Sequence, residues 1–260
     1  MKRRTTTQPL ITNPWYLALK YCLRSLEDVC GKVLDVGCGA GVMTKEIKRL
    51  RSELELVGID NDGQAIKLAK KDNQEIVFNQ GSVYHLPFKD NYFSATFSHH
   101  VLEHLKKPSQ ALAEIARVTK KEGMIYAAVP LEGNWSSIHA PFYKLPIYKK
   151  MRIKYLGHYQ QYTFKRIKNL FKENGFEIVN YCWSGGFIMQ VTNFFYYLLV
   201  SLFRIPPFFL TGNDLLEKRD SFYSRWGGIT KRIFYLFVNL ESLLIARVPQ
   251  EIIHLTAKKL

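Results

Sequence analysis

Short apolar runs alternate along the chain with longer stretches whose apolar positions recur every three or four residues. Segments 32–36, 54–59, 75–79, 93–97 and 123–130 read as strands, and 41–50, 62–71 and 108–119 as amphipathic helices. A helix over 163–174 and a strand over 175–182 extend the alternation. This pattern predicts a parallel sheet with helices on both faces and any ligand over the carboxyl ends of the strands. Ahead of it, Trp15, Leu17, Ala18, Tyr21, Cys22 and Leu26 follow Asn13 and Pro14 at helical spacing, which predicts a capped helix packed beside the sheet.

Beyond residue 183 the pattern changes. Phe187 to Phe203 is almost wholly apolar, centred on Phe194 to Val200, and Pro206 and Pro207 close it. Gln190, Thr192 and Asn193 interrupt the run and Arg204 bounds it, so it falls short of the ~20 apolar residues of a membrane-spanning helix. Ile233, Phe234, Leu236, Phe237, Leu240, Leu243 and Leu244 then repeat at helical spacing, with Lys231, Arg232, Asn239 and Glu241 among the intervening positions. Two such helices suit docking on a membrane surface, and equally suit packing on the core or on a second copy in a homodimer.

The chemistry concentrates in Val33-Leu34-Asp35-Val36-Gly37-Cys38-Gly39-Ala40-Gly41. Glycines let the backbone turn sharply and approach a ligand, and the helix that follows presents unpaired N–H groups. The G-x-G-x-G spacing is tighter than the G-x-G-x-x-G of dinucleotide sites. Asp35, two residues ahead, suits an ammonium and would repel a pyrophosphate. Cys38 supplies the small side chain the loop allows. Asp60 ends the strand 54–59, about twenty residues further on, where a carboxylate accepts hydrogen bonds from ribose hydroxyls; the alternative is that it caps the helix starting near Asp62.

Further motifs follow in order: Gly81 to Phe88, Asn91-Tyr92-Phe93, Val101-Leu102-Glu103-His104-Leu105, and Gly157-His158-Tyr159 leading to Tyr162-Thr163 and Gly175-Phe176-Glu177. With the glycine loop, residues 30 to 182 resemble the class I S-adenosylmethionine (SAM)-dependent methyltransferases, type 11 subgroup. The resemblance implies an α/β fold with a doubly wound, mostly parallel, seven-stranded Rossmann-like sheet and an antiparallel last strand, placed at 251–257. Residues 1–183 would then form the core, 184–249 an apolar helical insertion, and 250–260 the closing strand. It implies SAM as cofactor, held by Asp35, Gly37, Cys38, Gly39, Gly41, Asp60, Asn61, Ser82, Val83 and Ser98. Two positions depart from the family. Ser82 replaces an acid that contacts the adenine amino group, which lowers the expected affinity, and Ser94 replaces an acid in the fourth strand, read as a change of strand framing.

Composition adds constraints. At 260 residues, 47% hydrophobic and 14% aromatic, the chain can bury one main core. Cys22, Cys30, Cys38 and Cys182 form no C-x-x-C pair, and no secretory leader precedes them, so the reducing cytoplasm is expected. The net charge is +15, and Lys144 to Lys172 holds nine Lys or Arg and no acid. That surface attracts nucleic acid or an anionic membrane face, or is a solvated face without a partner.

Methyl transfer from a sulfonium is an in-line displacement by an already activated donor, so alignment and exclusion of water supply much of the rate. For a hydroxyl acceptor the nearest bases are His99 and His100, which follow the fourth strand. His158 falls on a family motif in the segment expected to cover the acceptor. That segment also holds His139, Trp135, Phe142, Tyr143, Tyr148, Tyr155, Tyr159 and Tyr162, which line an apolar pocket or pack a lid. His100 to His104 spells H-x-x-E-H, whose three polar side chains would share one helical face. In this context the motif is expected to be structural and no metal is expected. In the ubiquinone-biosynthesis O-methyltransferases, which are similar here, two acids and a histidine hold a divalent ion; His100 replaces the first acid. The expected function is a cytoplasmic, peripherally membrane-bound methyltransferase for a small lipophilic acceptor. The alternatives are an RNA methyltransferase and a non-catalytic scaffold.

Overall fold

A computed structural model describes residues 15–71, 75–203, 222–245 and 248–260. The expected Asn13-Pro14 cap, Arg204 and the Pro206-Pro207 stop lie outside them. The strands are β1 (Lys32–Val36), β2 (Glu55–Asp60), β3 (Val77–Gln80), β4 (Phe93–His99), β5 (Thr119–Pro130), β6 (Phe176–Ser184) and β7 (Ile252–Lys259). Their order is β3-β2-β1-β4-β5-β7-β6. The first five run parallel, and β7 lies antiparallel between β5 and β6, pairing Ala128 with His254 on one side and His254 with Cys182 on the other. The seven-stranded Rossmann-like sheet is therefore present, including its antiparallel last strand.

Side chains of each inner strand alternate between two cores, because successive residues of a strand point to opposite faces. Val33, Ala95, Phe97, Tyr126 and Ala128 pack with Leu19, Cys22, Ile47 and Ile66 from α1 (Tyr16–Ser25), α2 (Val42–Leu50) and α3 (Gly63–Lys70). Leu34, Val36, Phe93, Ile125, Ala127 and Val129 pack with Leu112, Ile115, Ile167 and Phe171 from α4 (Pro108–Val118) and α6 (Phe164–Glu173). Burying each such large apolar side chain contributes roughly 1.5–3 kcal/mol. Helix starts follow local chemistry: Pro108 opens α4 and the Thr163 hydroxyl accepts from Arg166 N at the start of α6. Ser94 lies inside β4 beside a register shift between Phe93 and Ala95, and accepts from Lys120 Nζ.

Between β5 and α6 the chain forms a lid that contains α5 (Pro146–Leu156), a helix not foreseen because it carries no apolar stripe: its one buried residue is Arg152. Two long helices, α7 (Phe187–Phe203) and α8 (Phe222–Leu244), lie between β6 and β7 in the chain. They are joined at the start of α7, where Ile188 N donates to Glu241 and Gly186 N to Ser242 Oγ. A carboxylate placed at a helix N-terminus is stabilised by the helix dipole. Among the described residues no helix is long and apolar enough to cross a membrane.

Candidate functional site: the cofactor edge and the polar cluster beside it

The glycine loop lies at the carboxyl end of β1, where the strand order reverses between β1 and β4. Gly37 N and Cys38 N donate to Ile59 O at 2.8 and 3.1 Å, which ties the loop to the end of β2. Gly37 and Gly41 have φ of 77° and 74°, and a Cβ on them would stand 2.4 Å from Val101 Cγ2 and 2.6 Å from Phe78 Cζ. Only glycine combines that backbone with that proximity. Gly39 N donates to Asp60 Oδ2 at 2.8 Å, and Asp62 N to Asp60 Oδ1 at 2.9 Å. The helix cap is Asp62, whose carboxylate accepts from Gln64 N and Ala65 N. Asp60 is thereby fixed at the rim by the loop and separated from the capping role.

Around this rim the other cofactor candidates divide. Asn61 and Ser82 are exposed at the ends of β2 and β3, brought together by Gly81 N donating to Asp60 O, while Val83 packs on the core. Ser82 Oγ accepts from Tyr84 N, closing a local turn. Ser98 is buried within β4 opposite Ala127. Cys38 is buried against the position a Gly58 Cβ would take. Asp35 is also buried; Thr44 Oγ1 donates to it at 2.5 Å beneath the loop. Burial raises its pKa to about 7, opposed by the Thr44 hydrogen bond and reinforced by Asp60.

The H-x-x-E-H residues do not share a helical face. β4 runs through His99, His100 adopts φ of 54°, and Leu102–His104 is one turn of 3-10 helix, too short to line up three side chains. His100 N donates to Ala128 O, and its Nδ1 lies 2.8 Å from Glu103 Oε1. His104 turns away, its Nδ1 3.2 Å from Gly157 O of the lid. The His99 ring stands between Trp15 and His100, at 5.1 and 4.4 Å. Burial holds His99 well below the ordinary imidazole range, with the neighbouring His100 and His254 acting the same way. At His100 burial also opposes the charge, but Glu103 and Glu251 outweigh it and raise the pKa.

A network unannounced by any motif links the lid to the carboxyl end of β5. Glu132, just past β5, accepts hydrogen bonds from Arg152 and Tyr143 and meets His158 Nδ1 at 2.9 Å; Arg152 Nε in turn donates to Tyr143 Oη at 3.1 Å. Glu132 and Arg152 are both 2% exposed. Nearby, fully buried His139 lies between Tyr148 Oη at 2.5 Å and Glu251 Oε1 at 3.2 Å. Gln190 of α7 accepts from Ile138 N at 2.9 Å, and the Phe194 ring packs tilted against Phe142 with centroids 4.9 Å apart. These aromatics pack the lid, whereas Trp135 is 80% exposed. Burial, followed by opposing contributions from Glu103 and Arg152, lowers His158 to about 4. Glu132, Arg152 and Glu251 escaped sequence reasoning because lone charges look like surface residues until the fold buries them. A groove of about 1110 Å³ opens at the amino ends of β4 and β5 beside α1, and none of the candidate site residues lines it.

Residues 34–127 match a family described as a methyltransferase domain. This stretch resembles a methyltransferase domain. An uncharacterized methyltransferase of Schizosaccharomyces pombe is 37% identical over 105 residues, 36% of this chain and 38% of that protein, so the chain spans well under half of that relative's length. The demethylmenaquinone methyltransferase of Thermotoga maritima is 26% identical over 163 residues, covering 56% of this chain and 70% of that one. A solved structure of geranyl diphosphate methyltransferase in complex with SAM shares the fold, with a TM-score of 0.60 at 10% identity over 94% of this chain and 85% of the other. The matched stretch covers the glycine loop from Leu34 on, Asp60, Ser82 and both His99 and His100; the lid cluster, α7 and α8 lie outside it.

Proposed function

We propose that the chain is a SAM-dependent methyltransferase that modifies a small lipophilic acceptor. The observation that carries this reading is the rim formed by Gly37 to Gly41 and Asp60 at the switch point of the sheet, where doubly wound folds bind their ligands. The residues fit the cofactor: the loop admits no side chain at Gly37 or Gly41, and Asp60 is oriented with its carboxylate anchored by two backbone N–H groups. SAM when bound supplies an activated methyl group. Asp60 and Asn61 would hold its ribose, Gly37 to Gly41 its amino-acid tail, Ser82 and Val83 its base, and Asp35 and Ser98 would shape the floor. His99, held neutral by burial, is the proton acceptor for a hydroxyl acceptor, with His100 packed beside it, and His158 is the candidate that the lid contributes.

The lipophilic acceptor is supported by the demethylmenaquinone methyltransferase relatives and by apolar side chains left exposed on the acceptor half. Phe187, Phe195, Phe237 and Leu244 are exposed on α7 and α8; Leu145 and Ile147 are exposed at the start of α5, among exposed Lys144, Lys149, Lys150 and Lys154. Residues 184–249 would therefore serve as an insertion that docks, with the lid, on an anionic membrane surface. Calorimetry tests the central claim: wild type should bind SAM, and Asp60→Ala should lose it. Cosedimentation with anionic liposomes tests the second, with Ile147→Asp reducing binding. Salt-sensitive RNA binding with methyl incorporation into RNA would overturn the choice of acceptor, and no SAM binding at all would leave a scaffold.

A further inference from the structure

We propose that Glu103, His104 and His158 form a site for a borderline divalent transition-metal ion such as Zn²⁺, joining the turn after β4 to the lid. One ligand atom from each of the three lies within 4.8 Å of the others. At the centre of such a triangle each atom is about 2.8 Å away, against ~2.0–2.2 Å for bonds to zinc. Closing on an ion therefore asks for under about 1 Å of movement per group, and His104 is exposed, so its ring has room to move.

The stronger argument is the state of the atoms that would not ligate. Each of the three side chains already has one polar atom engaged: Glu103 Oε1 by His100 Nδ1, His104 Nδ1 by Gly157 O, and His158 Nδ1 by Glu132 Oε1. Metal-ligating histidines characteristically use their second nitrogen in this way, on a carboxylate or a backbone carbonyl, which fixes the ring and the tautomer. That leaves Nε2 of both rings and Glu103 Oε2 as the atoms available to a cation. Glu103 is wholly buried, and its Oε2 has no hydrogen-bond partner. A buried carboxylate oxygen in that state is costly unless something positive meets it.

The donor set selects the class of ion. Two imidazoles and one carboxylate suit zinc, iron or nickel, whereas calcium and magnesium prefer oxygen ligands throughout. The Arg152 guanidinium lies 3.4 Å from His158 Nδ1, but its charge is paired with Glu132, so it does not bar a cation. Tyr159 N and Gln160 N donate to Glu103 O at 2.9 and 3.1 Å, so the lid is seated on the turn and His158 is delivered without rearrangement. The H-x-x-E-H stretch thus supplies two ligands and, in His100, a supporting residue; the third ligand comes from the lid.

The test uses the full chain, stripped of metal and titrated with Zn²⁺ alone against a chromogenic chelator, with Co²⁺ absorption as a second readout. One equivalent should bind, and His104→Gln and His158→Gln should each weaken binding by at least ~100-fold. His100→Gln, which touches only a supporting residue, should weaken it by about 10- to 100-fold. Zinc-free unfolding temperatures matching wild type would show that the variants are folded; if either histidine variant is not, Glu103→Gln replaces it. Absence of binding at micromolar zinc, or binding equal in wild type and ligand variants, overturns the site. The measurement needs no SAM, so it is decided independently of methyl transfer.

Discussion

The two halves of the sheet achieve order by different means. On the proposed cofactor half, β3-β2-β1-β4, the geometry comes from backbone: three glycines with positive φ, and a carboxylate held by the N–H groups of Gly39 in the loop and of Asp62 just past β2. On the proposed acceptor half, β5-β7-β6 with its lid, it comes from buried acids paired across the fold: Glu132 with Arg152, and Glu251 with His139. Backbone demands are local and leave a spacing in the sequence. Charge pairing is non-local, since Glu132, Arg152 and Glu251 come from the end of a strand, a lid helix and the start of the last strand.

The comparison breaks most sharply at Glu132. Replacing it by Gln leaves the Arg152 guanidinium buried without its counter-charge, and such loss of one partner typically costs about 3–5 kcal/mol. Urea unfolding should show that loss for Glu132→Gln. A change under about 1 kcal/mol would mean that water or another group replaces the carboxylate, and that the acceptor half is not held by charge. The cofactor half should respond instead to a methyl group. Gly37→Ala forces a side chain into φ of 77°, which costs about 1–2 kcal/mol, and presses it on Val101. Gly39→Ala carries the conformational cost alone, because no heavy atom lies within 4 Å of its Cβ. Gly37→Ala should therefore be the less stable of the two and the poorer SAM binder by calorimetry.

This contrast explains how much was legible. All seven strands were anticipated, the last through family resemblance, because parallel strands buried on both faces read as apolar runs bounded by breaks. The rim at Gly37 to Gly41 and Asp60 was legible because glycine at fixed spacing has few other uses. The relation of His100, Glu103 and His104 was misread: the spacing suits a helix, but β4 extends to His99 and the chain turns left-handed at His100. Helix α5 and the Glu132–Arg152 pair left no signature, since Arg152 sits in a basic run whose other members face solvent.

A smaller effect separates the two acids at the end of β2. Asp60→Asn weakens the anchor from Gly39 N and Asp62 N and the charge offered to a ribose; SAM affinity should fall about tenfold, equivalent to ~1.4 kcal/mol. Asp62→Ala removes the cap of α3, costs about 1 kcal/mol of stability and leaves SAM affinity unchanged. If the two variants exchanged these outcomes, Asp60 would be a structural residue and the rim would have lost its one oriented acid.

The finest test sets the halves against each other by pH. Asp35, beneath the glycine loop, has a folded-state pKa of about 7, above the ~3.9 of an unfolded aspartate, because burial disfavours its charge. Between about pH 4 and 7 the folded state therefore holds the extra proton, and the stability Asp35 contributes falls as pH rises. His254, on β7 between Tyr126 Oη at 2.7 Å and Ser184 Oγ at 2.5 Å, is held by burial at about 3. Below the ~6.5 of a free imidazole the unfolded chain binds the extra proton, so the contribution of His254 rises with pH up to that point. From pH 5 to 6 the two slopes oppose, each by at most ~1.4 kcal/mol per pH unit. Asp35→Asn should make the stability curve rise more steeply over that interval, and His254→Asn should make it rise less. An Asp35→Asn curve parallel to wild type would show that the carboxyl is ionised in the folded protein, and burial would not then be what governs the floor of the cofactor rim.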